Sequence, residues 1–229
     1  MSLRERLGLP RLDQPGSRSL VLATWIDATG RGLFAYFYLL YLTRDVGFKL
    51  STAGAVLSAV TAVGLAITPV AGSLVDRVGA KRMLVTSQIV CAIGYFGLLF
   101  VTPSIPVLFL TAGLVTIGEC IFWVGYPSLV SHMAQDAERD RWFAFMGMAR
   151  TAGIGLGGLI AAGVLAVAHD NGYRYLLMGN VVTFIIAGVL IFLRAPNPRA
   201  QVVAAKESGG WSAVVRDRAI MQLALAHGL

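Results

Sequence analysis

Charged residues are scarce in this 229-residue sequence: Asp, Glu, Lys and Arg make up 14% of it, whereas hydrophobic side chains make up 56%. That balance lies outside the usual range of soluble domains and indicates an integral membrane protein. The net charge of +7 would favour a nucleic-acid partner only if the basic residues formed one continuous soluble face. They are divided among short polar segments instead, so we expect no nucleic-acid partner.

Residues suited to catalysis or metal binding are also few. Cys91 and Cys120 fall inside apolar stretches, so no disulfide framework or thiolate metal site is expected. His132, His169 and His227 lie outside the complete apolar spans, and no metal-ligand spacing or nucleophile elbow is present in the sequence. We therefore expect no enzyme activity, no metal and no cofactor.

What the sequence does contain is a series of long apolar runs. A helix needs about 20 apolar residues to cross a bilayer, and the uncharged stretch 83–118 is too long for one crossing. Turn-forming residues at 102–106 divide it into two. The first run is longer than the apolar core of a signal peptide and no small-residue cleavage site follows it, so we expect it to remain as a span. Six spans are predicted, at 20–42, 50–75, 83–101, 107–130, 142–168 and 175–193.

The predicted fold is thus an all-α membrane protein, a bundle of six transmembrane helices over 20–194, preceded by a tail at 1–19. Fourteen of the 19 Lys and Arg residues flank one side of the spans, and only Arg44, Lys49 and Arg174 flank the other. Basic residues accumulate in cytoplasmic loops, so the N-terminus is predicted to be cytoplasmic.

The segment after the bundle changes character. Residues 195–218 are polar and contain Pro and Gly, which is typical of a linker, predicted here to be cytoplasmic. Residues 219–229 form a new apolar run of 11 residues, about half of what a crossing requires. We interpret it as the start of a seventh transmembrane helix, and the sequence as a fragment of a longer protein.

A charged loop follows the second predicted span. It reads Gly72-Ser73-Leu74-Val75-Asp76-Arg77-Val78-Gly79-Ala80-Lys81-Arg82 and resembles the signature loop between helices two and three of the major facilitator superfamily. Ala80 stands where the family usually has a basic residue. The resemblance implies the N-terminal six-helix half of such a transporter. It also implies that Gly72, Asp76, Arg77, Gly79, Lys81 and Arg82 form a conformational-switch loop that contacts the second half, which this sequence lacks.

The fifth span carries a second glycine-rich segment. Gly153-Ile154-Gly155-Leu156-Gly157-Gly158 resembles the end of the family's antiporter motif, with Ile154 in place of the usual proline. Small residues also let membrane helices approach closely, and this is the interpretation we favour. Four residues are assigned to helix-five packing: Arg150, Gly153, Gly157 and Gly158.

Ionisable residues inside spans are the best indicators of mechanism, because each costs a few kcal/mol on insertion and therefore faces a cavity or a partner. They are Asp27, Arg31, Glu119 and Arg150. Similar depths along their helices predict two cross-helix pairs, Asp27 with Arg150 and Arg31 with Glu119. The alternative is that Asp27 and Arg31 pair along their own helix and leave Glu119 and Arg150 free.

The resemblance also places helices one and four along a central cavity. It implies that substrate or protons bind at Asp27, Arg31, Glu119, Trp123 and Tyr126; purely structural ion pairing and aromatic packing are the alternatives. The implied function is secondary active transport of a small molecule across the plasma membrane by alternating access. The implied partners are the lipid bilayer and a C-terminal six-helix half, and proton-coupled export stays open. The competing hypothesis is a truncated, non-transporting half that acts only as the partner of another six-helix half.

Overall fold

Seven helices, and no strand, make up the part of the chain that the structure describes. The computed structural model describes residues 16–133, 138–168 and 171–195. The predicted linker 196–218, the predicted seventh-helix start and most of the N-terminal tail lie outside these ranges. The helices are α1 Ser17–Phe34, α2 Tyr38–Arg44, α3 Leu50–Val78, α4 Ala80–Leu98, α5 Ile105–Met133, α6 Arg139–Ala168 and α7 Gly172–Arg194. The predicted all-α membrane fold is confirmed.

The first predicted span differs from the prediction because it consists of two helices. Between α1 and α2, the Phe37 amide donates to the Phe34 carbonyl at 2.9 Å, a bond to the third preceding residue, which tightens the turn. Neither Gly nor Pro lies at this break. Aromatic packing accompanies it: the ring of Phe34 lies 5.5 Å from that of Tyr38 and 5.9 Å from that of Tyr95. The other five spans are single helices, each beginning or ending within a few residues of its prediction.

Two connections follow from local sequence. Gly79 joins α3 directly to α4 with a φ of +96°, a backbone conformation that residues with a Cβ rarely adopt. The segment 99–104 between α4 and α5 is not helical, as its Pro and Ser content predicts, and Pro106 lies in the first turn of α5, where its missing amide hydrogen costs nothing.

Four of the described helices meet the length and hydropathy of a membrane crossing. Helices α3, α5, α6 and α7 are each long and apolar enough to cross a membrane. Helix α1 has 18 residues and carries Arg18, Asp27 and Arg31, whereas α4 has 19 residues and begins with Ala80, Lys81 and Arg82. These charges lower the hydropathy of α1 and α4.

The helices pack as a continuous series in which α3 contacts α5, α5 contacts α4, α4 contacts α7, α7 contacts α1 and α1 contacts α6. Buried apolar side chains form two clusters. One includes Phe34, Leu98, Leu108 and Phe184, and the other includes Leu20, Leu84, Leu129, Trp142 and Met146. Along α1, α4 and α5, the polar residues Asp27, Gln88 and Glu119 lie between members of these clusters. The bundle therefore holds a polar layer between two apolar cores.

Candidate functional site

Asp27 lies at the centre of this polar layer and is 1% exposed. Its Oδ2 accepts a hydrogen bond from Arg31 Nε at 2.8 Å, one turn along α1, and lies 3.6 Å from a terminal nitrogen of Arg150 on α6. Its Oδ1 accepts a hydrogen bond from Gln88 Nε2 on α4 at 3.0 Å. Two hydrogen bonds and one ion pair, from three helices, thus surround one carboxylate, which offsets the cost of burying its charge.

Arg31 joins this carboxylate to a second one. One of its terminal nitrogens forms an ion pair with Glu119 Oε1 on α5. Both predicted cross-helix pairs, Asp27 with Arg150 and Arg31 with Glu119, are therefore present. The alternative was partly right, because Asp27 and Arg31 also pair along α1, but Glu119 and Arg150 are not left free. We call Asp27, Arg31, Glu119 and Arg150 the charge cluster; two carboxylates balance two guanidinium groups in it.

Aromatic rings cover the guanidinium groups. The Arg31 Cζ lies 4.4 Å from the ring centre of Phe122 and 5.2 Å from that of Phe184. The Arg150 Cζ lies 4.9 Å from the ring centre of Phe122 and 4.4 Å from that of Trp123. Cations attract ring faces more strongly where water is excluded, so these rings stabilise charges that the bundle would otherwise bury at high cost.

Exposure is uneven among the candidate residues. The side chains of Asp27 and Arg31 are 1% and 7% exposed, whereas that of Glu119 is 27% exposed and Trp123 is 54% exposed. Tyr126 is buried, with its ring stacked on Phe122 at 5.1 Å. The structure therefore brings Asp27, Arg31 and Glu119 together with the indole of Trp123, and it opens this group to the surface through Glu119 and Trp123.

Sequence reasoning missed three residues of this site. Gln88 is a polar side chain in the middle of an uncharged run, which was a usable signal. Phe122 and Phe184 had none, because an aromatic residue that covers an arginine cannot be told from an ordinary core residue in the sequence.

The glycines of α6 differ in what they contact. A Cβ on Gly153 would lie 2.9 Å from Ala28 Cβ, and a Cβ on Gly157 would overlap the Thr29 carbonyl oxygen and lie 2.9 Å from Gly32 Cα. These two glycines lie where α6 meets α1. A Cβ on Gly158 would meet no atom within 4 Å, so Gly158 does not take part in this close approach.

The signature loop lies at one end of the bundle, away from the charge cluster. A Cβ on Gly72 would make only an ordinary contact, 3.9 Å from a methyl of Val124. Asp76, Arg77 and Arg82 are exposed. Lys81 Nζ donates to the Ala195 carbonyl at the end of α7, at 2.7 Å, and so places a cation at a helix C-terminus, where it is stabilising.

Both cysteines lie on helices of the bundle, Cys91 buried and Cys120 partly buried. Both are free, and Cys91 and Cys120 lie against the backbone carbonyls of Val115 and Gly64. Within the ranges described above, no three His, Cys, Asp or Glu side chains are grouped so that they could hold a metal ion.

The sequence of this chain is similar to those of known membrane proteins. "Multidrug resistance protein MdtH" of Edwardsiella ictaluri is 28% identical over 154 residues, which cover 67% of this chain and 37% of that protein. The protein of the same name from Yersinia enterocolitica is 30% identical over 147 residues, 64% of this chain and 35% of that protein. The match thus spans little more than a third of the length of these curated relatives. The family model described as Major Facilitator Superfamily matches residues 20–229, and the chain therefore belongs to the major facilitator superfamily.

Proposed function

We propose that this chain supplies the substrate-binding N-terminal half of a secondary transporter that moves a small molecule by alternating access. The observation that carries the proposal is the charge cluster: a balanced set of two carboxylates and two guanidinium groups from α1, α5 and α6, held between two apolar cores. Ionisable groups inside membrane spans are costly and mark substrate or proton pathways.

Glu119 is the member of the cluster best suited to exchange partners. It is the most exposed of the four and has Arg31 as its ion-pair partner, whereas Asp27 accepts two hydrogen bonds and also pairs with Arg150. When Glu119 takes up a proton or a cationic group, Arg31 keeps the charge of Asp27 beside it. Protonation of Glu119 leaves one excess positive charge, which Arg31 and Arg150 share around Asp27 and against aromatic rings. Neither guanidinium group then loses its last carboxylate partner, and this supports proton coupling through Glu119.

The aromatic side chains support a substrate with an apolar or cationic body. Trp123 exposes part of its indole next to Glu119, and Tyr126 backs the same face of α5 through Phe122. Aromatic faces bind apolar groups and organic cations. The relatives' name, multidrug resistance protein, supports export of such compounds as the direction of transport.

The distribution of basic residues supports a cytoplasmic N-terminus, and the proposal places the protein in the plasma membrane. A second six-helix half completes the substrate pathway, and rocking of the two halves exposes the charge cluster alternately to each side.

Flux measurements in proteoliposomes test the proposal. The chain is reconstituted together with a second six-helix half, a lipophilic organic cation is the probe, and an imposed pH gradient is the driving force. We expect Glu119→Gln to reduce pH-driven flux by at least about tenfold, equivalent to about 1.4 kcal/mol. Glu138→Gln makes the same chemical change just before α6, outside the charge cluster, and should leave flux within about twofold, or 0.4 kcal/mol.

Two other outcomes would contradict parts of this proposal. Full pH-driven flux by Glu119→Gln would exclude this carboxylate as the coupling group. Absence of flux from the chain both alone and together with a second six-helix half would instead favour the non-transporting partner hypothesis.

A further inference from the structure

A groove between α4 and α7 lies outside the charge cluster. It has a volume of about 330 Å³ and is lined by apolar side chains from both helices, including Val85, Ile89, Ala92, Ile185, Val189 and Phe192. Gly188 deepens it, because a Cβ there would lie only 3.2 Å from Gln88 Cβ. The two helices thus form a continuous apolar trough about as long as two helical turns.

The groove lies on the outer, apolar side of the bundle. Gln88 forms part of its wall and turns its amide inward to Asp27, so the groove and the charge cluster lie on opposite sides of α4. Ile89, Ile185 and Phe192 are 54%, 53% and 64% exposed. The exposed stripes of α4 and α7 carry no charge over 83–98 and 175–193. Such surfaces face the hydrocarbon of a bilayer.

One end of the groove is basic. The hydrogen bond from Lys81 to the Ala195 carbonyl brings the start of α4 and the end of α7 together there. Arg82 is exposed at that end. Arg82 precedes Val85 and Ile89 by three and seven residues, so the three share one face of α4.

We propose that this groove binds one acyl chain of an anionic phospholipid, whose headgroup is held by Arg82. Basic sites between transmembrane helices at a membrane surface attract anionic headgroups, and each Lys or Arg near the surface contributes about fivefold in affinity, or about 1 kcal/mol. A phospholipid also needs an apolar surface for its acyl chain, and the groove between α4 and α7 provides that surface. The proposal is independent of which substrate the protein transports.

Native mass spectrometry of the purified protein, equilibrated with phosphatidylglycerol or phosphatidylcholine in detergent, tests this site. We expect phosphatidylglycerol to be retained at least about fivefold more than phosphatidylcholine. Val189→Trp fills the groove and should abolish that excess. Val182→Trp adds the same side chain on the same helix at a site that is 52% exposed but does not line the groove, and it should behave like the unsubstituted protein.

The headgroup contact is tested separately and does not depend on the folding of a groove-filled variant. Arg82→Gln should reduce the preference for phosphatidylglycerol about fivefold, whereas Arg174→Gln, an exposed arginine at the opposite end of α7, should not. Equal retention of the two lipids, or equal retention by Val189→Trp and Val182→Trp, would overturn the proposal. An unchanged preference in Arg82→Gln would overturn the assignment of the headgroup.

Discussion

Replacement of Gly157 by alanine measures how far the close packing of α6 on α1 supports the charge cluster. The new Cβ would overlap the Thr29 carbonyl oxygen and lie 2.9 Å from Gly32 Cα. Both are backbone atoms, so no side chain can rotate away and the two helices must separate. Because α1 carries Asp27 and α6 carries Arg150, that separation also lengthens the 3.6 Å ion pair between them.

Gly158→Ala provides a matched control on the same helix, since its Cβ would meet nothing within 4 Å. Both substitutions gain the same helix propensity, about 0.5–1 kcal/mol. The difference between the variants therefore isolates the packing cost, and overpacking of a well-packed interface costs about 1–3 kcal/mol. We expect Gly157→Ala to be less stable than Gly158→Ala by that amount, and to differ from the unsubstituted protein by the packing cost minus the gain in helix propensity.

The assay is unfolding in mixed micelles of increasing SDS content, followed by helical circular dichroism, with both variants measured under the same conditions. Free energies of unfolding that agree within about 0.5 kcal/mol, the usual size of a neutral surface effect, would refute the reasoning. They would mean that α1 and α6 adjust to a methyl group at no cost, and that glycine at 157 serves some purpose other than close approach.

Three further predictions address other parts of the molecule. Gln88→Leu removes the donor to the buried Asp27 Oδ1 and should lower the free energy of unfolding by about 1–3 kcal/mol, whereas Ser87→Ala, whose hydroxyl bonds only within its own helix, should have little effect in the same SDS titration. Gly79→Ala should cost about 1–3 kcal/mol through backbone strain alone, because φ is +96° there and the new Cβ would meet nothing within 4 Å; an unchanged unfolding midpoint would contradict this. Cysteines introduced at Val78 and Asn171 should react with an impermeant thiol reagent from opposite sides of the membrane, the first only from the cytoplasm; labelling of the first from outside intact cells would reverse the proposed orientation.

Most of the fold was predictable from local features of the sequence. A membrane span is determined by length and hydropathy alone, because unpaired backbone polar groups cannot be left in hydrocarbon and a helix pairs them all internally. Turn residues such as Pro103 and Gly79 then divided the apolar runs in the right places. The break between α1 and α2 was not predictable, since it has no Gly or Pro and accompanies packing of Phe34 against Tyr95, more than sixty residues away in sequence.

The site was predictable only in part. A buried charge needs a partner, so four ionisable residues in three spans allowed few pairings, and depth along each helix selected the pairs that the structure contains. Depth says nothing about rotation around the helix axis, however. It therefore could not show that Asp27 also binds Gln88, or that Phe122 lies against both arginines.

The sequence by itself thus determined the membrane class and the residues that must find partners, because both depend on local hydropathy and on the cost of an isolated charge. The tertiary structure alone decided which helix faces meet. That choice distinguishes Gly157, which packs against α1, from its neighbour Gly158, where an added Cβ would have no atom within 4 Å. It also leaves Glu119 and Trp123 open while Asp27 and Arg31 are buried, because exposure depends on how neighbouring helices rotate and pack, which no single span can encode.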